Sequence, residues 1–373
     1  MSQDAIKDLI NQADKKFGSG SLMFGNDAIK NVPIICSTGS HKLDMALGCG
    51  GIPQGRIIEY FGQASGGKTS LSLLTMAEAQ RKYPDKVVAF IDLENSFDRQ
   101  WATNLGVDCD KLLFSQPDSG SETFELIQMM LNSDQVCFIV VDSVGGLLTQ
   151  AQIEAEYDQA QMAQLARLMS QSLPKINNIL KNKFCTILFI NQVRDRVGGY
   201  GSPEVTQGGK ALGFYSSIRA DVRRKEVIGE KENPEGFITK IKIAKNKVGP
   251  PFRVIETEFF IGTNGKFGID HTNEIVDLAI VNGIIDKASA WYKYNGEKFQ
   301  GRENLLTYIK ENENIYNEIY SQISKTVLTR DVPVEGSLAD ITAKLEAEYQ
   351  EKETKKKTRN KKEEIPEEKQ PEE

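Results

Sequence analysis

Histidine and cysteine are scarce: two histidines, His41 and His271, and five cysteines occur in 373 residues. Cys36, Cys49, Cys109, Cys137 and Cys185 form no CxxC pair and are far apart. A structural zinc site needs clustered Cys or His ligands, and a disulfide framework needs an even set of cysteines. Neither pattern is present, so reduced thiols in a cytoplasmic protein are expected. No apolar run approaches the roughly 18 residues of a membrane span. The polar N-terminal stretch lacks the apolar core of a secretory signal, and no membrane partner is expected. Positive charge is not in excess either: the formal net charge is −6. Nucleic-acid binders are commonly basic overall, so any such contact must come from local basic loops.

What is present is ordinary globular chemistry, with 39% hydrophobic and 26% charged residues. The length suits one large core with smaller appendages. Ile6, Leu9, Ile10, Ala13 and Phe17 stand at helical spacing and stop at Gly18-Ser19-Gly20. Such a stripe needs a packing partner, in its own core or on a neighbouring subunit. Short apolar runs follow at 56–61, 87–91, 136–141 and 186–190, with helical patterns at 69–81, 122–131 and 162–180 between them. Alternating apolar strands and helices predict an α/β fold with a mainly parallel, helix-covered sheet. The four runs end at Gly62, Asp92, Asp142 and Asn191, so their chemistry gathers at one sheet edge. Residues 218–224, 239–244 and 254–261 alternate as half-exposed antiparallel strands do, with Asn233-Pro234-Glu235-Gly236 as a turn. A small α+β unit is expected over about 270–325, with helices near 273–281 and 303–311 and a hairpin around 291–296. The tail is basic over 352–362 and acidic over 363–373, helical at first and then disordered. The expected organisation is thus 1–32 as N-terminal helix and linker, 33–268 as core, 269–328 as C-terminal domain and 329–373 as tail.

The strongest motif is Gly62-Gln63-Ala64-Ser65-Gly66-Gly67-Lys68-Thr69, after a strand and before a helix. It fits the P-loop pattern, whose backbone amides surround phosphate oxygens at a helix N-terminus. Lys68 would neutralise β- and γ-phosphates, and Thr69 would hold Mg²⁺. Asp142, closing an apolar strand, suits a carboxylate that orients the same ion. Asp92 and Glu94, two apart at the end of a strand, are expected to share a face, and one could polarise an attacking water. The alternative for such acids is a solvated loop or helix cap. Gln192 is placed to sense the γ-phosphate. Residues 195–209 are rich in glycine and carry Arg196 and Tyr200, with Arg194 just before them. Cations with an interleaved ring suit single-stranded nucleic acid, although a plain mobile loop has the same composition.

Together these blocks resemble the bacterial RecA recombinase family. Ile91-Asp92-Leu93-Glu94, Val140-Val141-Asp142-Ser143, Asn191-Gln192-Val193-Arg194 and Gly208-Gly209-Lys210-Ala211-Leu212 follow the P-loop in the family's order. So do Ser37–Ser40, Ser115–Asp118, Met169–Gln171, Lys245–Lys247 and Ala290–Tyr292, and the likeness spans about residues 5–325. The resemblance implies a RecA-like core and an ATP- and Mg²⁺-dependent enzyme. That enzyme forms a helical filament on single-stranded DNA and exchanges strands with duplex DNA, in DNA repair and the SOS response. It implies a nucleotide site of Gly62 to Thr69 with Ser70, Asp98, Trp101 and Asp142, the family having tyrosine where Trp101 stands. Glu94 would activate water, Gln192 would link the γ-phosphate to DNA, and Lys245 and Lys247 would reach ATP from the neighbouring subunit. Residues 154–161 and 194–206 resemble two DNA-binding loops. Met162, Arg167, Arg194, Arg196, Tyr200, Gly208 and Gly209 are the implied DNA contacts. The N-terminal helix and Phe214 would meet the adjacent subunit, and the C-terminal domain would help capture duplex. A repressor and loader proteins are further candidate partners. Departures fit a divergent or phage-encoded member: a second loop one residue shorter, Ile261 in place of a tyrosine packing on nucleotide across the interface, Gly213 in place of a lysine, and a basic block within the tail. Competing readings are a hexameric helicase with the same core, a DNA scaffold with incidental hydrolysis, and a small-molecule kinase.

Overall fold

Strands that are apolar along their whole length cannot leave either face in water. The computed structural model describes residues 3–17, 21–23, 32–148, 162–195 and 204–328, and in it these strands form the buried centre. In chain order the strands are β1 (Ile34–Cys36), β2 (Ile52–Pro53), β3 (Ile57–Gly62), β4 (Val87–Asp92), β5 (Leu112–Ser115), β6 (Val136–Asp142) and β7 (Thr186–Asp195). They continue with β8 (Glu204–Thr206), β9 (Ile218–Gly229), β10 (Pro234–Asn246), β11 (Val254–Ile261) and β12 (Phe267–Ile269). The large sheet runs β12-β11-β10-β9-β3-β7-β6-β4-β5, with β8 attached to β7. From β9 through β3, β7, β6 and β4 to β5 all pairings are parallel. The β9-β10-β11-β12 meander is antiparallel.

The period of two sorts each parallel strand onto two cores. Ile58, Tyr60, Val88, Phe90, Phe138, Val140, Leu188 and Ile190 face one side, where the helix Lys68–Lys82 packs with Leu71, Leu73 and Met76. Ile57, Ala89, Ile91, Ile139, Val141, Ile187 and Phe189 face the other. There the helices Gly120–Ser133 and Met162–Leu180 supply Phe124, Ile127, Leu131, Met169, Leu173 and Ile176.

A third core joins the helices His271–Val281, Arg302–Glu311 and Glu313–Leu328 to the small sheet β13 (Asp286–Ala288), β14 (Trp291–Tyr294) and β15 (Glu297–Gln300). Asn295-Gly296 turns the β14–β15 hairpin with both φ angles positive, 46° and 86°, as a two-residue hairpin of this kind requires. The N-terminal stripe forms the helix Gln3–Phe17.

Two expected boundaries move. The turn placed at Asn233–Gly236 lies at Glu230–Asn233, and Pro234 opens β10 opposite Gly229. Proline is tolerated at the first strand position because no inner ladder bond is lost. The strand expected to stop before Asn191 runs on to Asp195, because β8 pairs with its last three residues. Arg194 and Thr206, expected within a loop, are therefore strand residues. The Gly18–Gly20 stop, the first DNA segment at 154–161, the residues Arg196 and Tyr200, and the tail 329–373 lie outside the described residues.

Candidate functional site

β3, β7, β6 and β4 are neighbours and parallel, so Gly62, Gln192, Asp142 and Asp92 leave the sheet along one edge. Gly62 and Gln192 are register partners. The P-loop lies flat against β9. A Cβ on Gly62 would sit 2.3 Å from the Val222 carbonyl oxygen, and one on Gly66 would sit 2.6 Å from it. Gly67 caps the helix Lys68–Lys82 at φ 94° without a side-chain bond, which leaves the first amides free for an anion. Gln63, Ala64 and Ser65 are exposed at the loop tip.

Lys68 is buried, and its ammonium donates to the carbonyls of Gly62 (3.2 Å) and Gln63 (2.6 Å). Burial holds its pKa below the ordinary value, against the pull of Asp142, Glu94 and Asp221. Thr69 Oγ1 donates to Asp142 Oδ2 at 2.7 Å. Burial lifts the Asp142 carboxyl to about 6, with Glu94 and Asp92 adding to the rise and Thr69 and Lys68 opposing it. A cavity of about 400 Å³ opens beside Lys68 and Thr69, walled by Arg224, Phe237 and Ile261. Uncapped amides and a cation bound only to carbonyls fit a polyphosphate. A hydroxyl beside a carboxylate fits a hard divalent ion that keeps waters and phosphate oxygens as its other ligands. Among the described residues no cluster of three or more His, Cys, Asp or Glu side chains is arranged to hold a metal by itself.

The two strand-end acids diverge instead of sharing a face. β4 ends at Asp92, so the alternation that would align Glu94 with it does not continue. Asp92 is buried and accepts the amides of Glu94, Ser96 and Phe97, each at 3.2 Å, and the Gln116 side chain at 3.1 Å. It staples the loop. Glu94 faces the edge, where its Oε1 accepts Gln192 Nε2 at 2.8 Å and also the Ser143 hydroxyl. Gln192, placed by sequence toward a phosphate, thus binds the carboxylate expected to direct water.

Asp98 caps the helix Arg99–Asn104 by accepting the Trp101 amide at 3.0 Å. Trp101 Nε1 donates to Ser70 Oγ at 3.1 Å, and its ring packs on Phe259 and Phe267. Lys245 donates to the carbonyls of Gly213 (2.7 Å) and Phe214 (2.9 Å), and Lys247 to that of Phe214 at 3.4 Å. Neither lysine lines the phosphate-loop cavity of its own chain. Partial burial and the cations Lys247 and Arg219 hold the Lys245 pKa down. Phe214, beside both, is 70% exposed. Gly208 and Gly209 take positive φ, 77° and 74°, and pack on Val144 and Ala166 with no room for a side chain. Arg167 and Arg194 are exposed, and Met162 opens the helix that carries Arg167.

Sequence reasoning missed Ser143, Arg224 and Phe237. Ser143 could have been found from its place beside Asp142. Arg224 lies over the Phe237 ring at 5.3 Å, and Phe237 stacks on Phe259. They reach the cavity because β9, β10 and β11 follow β3 in the sheet, an order that no local pattern encodes. The same order puts Ile261 in the wall of its own chain's cavity.

The RecA N-terminal domain profile matches residues 4–265, and the RecA C-terminal domain profile matches residues 273–328. The Protein RecA of Chloroherpeton thalassium is 43% identical over 334 residues, 89% of this chain and 91% of that relative. The Protein RecA of Desulforapulum autotrophicum is 44% identical over 336 residues, 89% of this chain and 95% of the relative. That of Staphylococcus aureus is 44% identical over 335 residues, with the same coverage of 89% and 95%. A crystal structure of the RadB recombinase is similar over 60% of this chain at TM-score 0.46 and 20% identity, a distant likeness that adds nothing to the assignment.

Proposed function

The chain belongs to the RecA family, and from that premise we propose that it is a DNA-dependent ATPase of homologous recombination and repair. It coats single-stranded DNA as a filament and pairs that strand with a homologous duplex. The observation that carries the reading is the Glu94–Gln192 contact at 2.8 Å. Gln192 lies on β7, and β7 leads two residues later to Arg194 and then into the second DNA segment. One hydrogen bond therefore joins the carboxylate that would direct water to the strand that would grip DNA.

In this reading the loop Gly62–Ser70 and the helix amides hold the ATP phosphates. Lys68 exchanges its carbonyl partners for the β- and γ-phosphates. Thr69 and Asp142 hold Mg²⁺, which supplies charge neutralisation at the phosphates when bound. Glu94 orients water for in-line attack, and Asp98 and Trp101 border the base. Lys245 and Lys247 serve the neighbouring subunit's nucleotide, and Phe214 lies in the same interface. Cations given in trans make turnover depend on assembly, as an arginine finger does. Arg167, Arg194 and Arg196 meet DNA phosphates, and Tyr200 wedges between bases. Residues 1–32 dock on the next subunit, 33–268 form the motor and 269–328 help capture duplex.

The test is ATPase with and without single-stranded DNA, followed by strand exchange with homologous and heterologous duplexes. Stimulated hydrolysis and joint molecules only with homology are expected. Hydrolysis indifferent to DNA, without joint molecules, would overturn the proposal, and directional unwinding of a fork would favour a helicase. Glu94→Gln should keep ATP and DNA binding and lose about 10²-fold or more in turnover, the loss typical of a missing general base.

A further inference from the structure

The edge holds a second contact between the phosphate loop and the second DNA segment, on the opposite side of β7 from Glu94. Gln63 Nε2, at the loop tip, donates to Glu204 Oε1 at 3.0 Å. Glu204 opens β8, the strand that returns from the second segment, and pairs in register with Asp195. Its carboxylate is also clamped by the Arg223 guanidinium, at 3.2 Å from Nη1 and by a shorter bond from Nη2. Arg223 Nε in turn donates to Asp221 Oδ1 at 2.8 Å, and Asp221 is the register partner of Phe61 on β3. The ring closes from Gln63 to Glu204, Arg223, Asp221 and back to β3 one residue before the phosphate loop.

Gln63 also carries the carbonyl that holds the Lys68 ammonium at 2.6 Å. One residue therefore touches the phosphate-binding cation through its backbone and the foot of the DNA segment through its side chain. When Lys68 turns to phosphate, the Gln63 carbonyl loses its strongest partner, and the residue bridging to Glu204 is the one released.

We infer that Gln63, through Glu204 and Arg223, is a positioning residue that couples nucleotide occupancy to single-stranded DNA affinity, a second line beside Gln192. The inference rests on the proposed function, because it presumes that both ligands bind here.

The readout is the coupling factor, the ratio of dissociation constants for a fluorescent oligothymidylate without and with a non-hydrolysable ATP analogue. It is measured by anisotropy on the full chain. With the analogue at saturation for each variant, the ratio compares the empty and the fully occupied protein, so a change in intrinsic nucleotide affinity does not enter it. An inactive protein fraction lowers the amplitude but not the ratio. Gln63→Ala should reduce the factor about three-fold, the scale of one exposed hydrogen bond. Gln63→Glu, which sets a carboxylate against Glu204, should reduce it at least as far. Glu204→Gln should reduce it in the wild-type background and add little to Gln63→Ala, because both cut one line. An unchanged factor in Gln63→Ala, with a reduced one in Gln192→Ala, overturns the inference and leaves the proposed function standing. Fully independent effects of Gln63→Ala and Glu204→Gln overturn it as well. A wild-type factor of one removes the proposed coupling of ATP to DNA, and this bridge with it.

Discussion

Replacing Glu274 should loosen the C-terminal unit from the core, and the structure sets the scale. Glu274 lies in the first turn of His271–Val281 and is 2% exposed. Its Oε1 accepts the hydroxyls of Ser40 (2.6 Å) and Thr257 (2.7 Å), and its Oε2 accepts the His41 amide at 2.6 Å. Ser40 is itself the cap of the helix His41–Leu47, so the carboxylate sits at that helix's positive end. Glu274→Ala leaves three donors without a partner. Each would cost about 1–3 kcal/mol if none found water, and release of a buried charge offsets part of that, so a net loss of about 3–5 kcal/mol is expected. Glu274→Gln keeps the volume. It can accept the two hydroxyls only by turning its NH₂ toward the His41 amide, a donor facing a donor. One orphaned donor corresponds to about 1–3 kcal/mol. The assay is amide hydrogen exchange across a urea series. Arg302–Glu311 should lose protection by the full amount and the central strands by less. A Glu274→Ala loss below about 1 kcal/mol, or equal losses for Ala and Gln, would refute the donor accounting.

Two other perturbations follow from buried geometry. Gly66→Ala sets a Cβ 2.6 Å from the Val222 carbonyl and must push the loop off β9. ATP turnover should fall about 10²-fold, the rate cost of a 1 Å misplacement, and retained turnover would mean that the cradle tolerates the shift. The second concerns pH. Burial raises Asp44 from 3.8 to about 7, despite bonds from Ser37 and the Thr38 amide, and burial with nearby His271 lowers His41 from 6.5 to about 4. Folded Asp44 holds a proton that the unfolded chain has lost between about 4 and 7, so its contribution falls as pH rises through that window. Folded His41 lacks a proton that the unfolded chain keeps between about 4 and 6.5, so its contribution rises with pH there. The two oppose each other. Asp44→Asn should make Tm climb more steeply from pH 4 to 6.5 than in the wild type, and a difference between the two proteins that is flat with pH would contradict the burial argument.

The centre of this fold was legible because burial on both faces leaves a simple mark. Continuous runs of Val, Ile and Phe gave β3, β4 and β6 nearly to the residue and the start of β7, whose last five residues they missed, and the helix Met162–Leu180 matched its pattern at both ends. The phosphate loop was legible because glycine and lysine spacing encodes a local shape. Glu94 was harder. Its role beside Asp92 depends on where β4 ends and on a partner 98 positions away, Gln192. Short helices such as His41–Leu47 escaped because two turns carry too few periods to register. The Gln63–Glu204 contact, 141 positions apart, had no sequence signal, since a polar loop residue and a polar residue at a strand end look alike wherever they meet.

The pairing of β7 with β8 has a consequence for how this chain tolerates change. Val193, Arg194 and Asp195 are matched to Thr206, Val205 and Glu204, so both feet of the proposed second DNA segment are fixed to one ladder. The chain leaves and re-enters the sheet at Asp195 and Glu204, positions set by this pairing and not by the length of the stretch between them. A segment one residue shorter than the family's is then a small matter for the motor beneath it. It also makes the position a natural grafting point: sequences exchanged between Asp195 and Glu204 would meet the same two anchors, and under the proposed function a swapped cassette should change DNA preference together with the nucleotide turnover coupled to it.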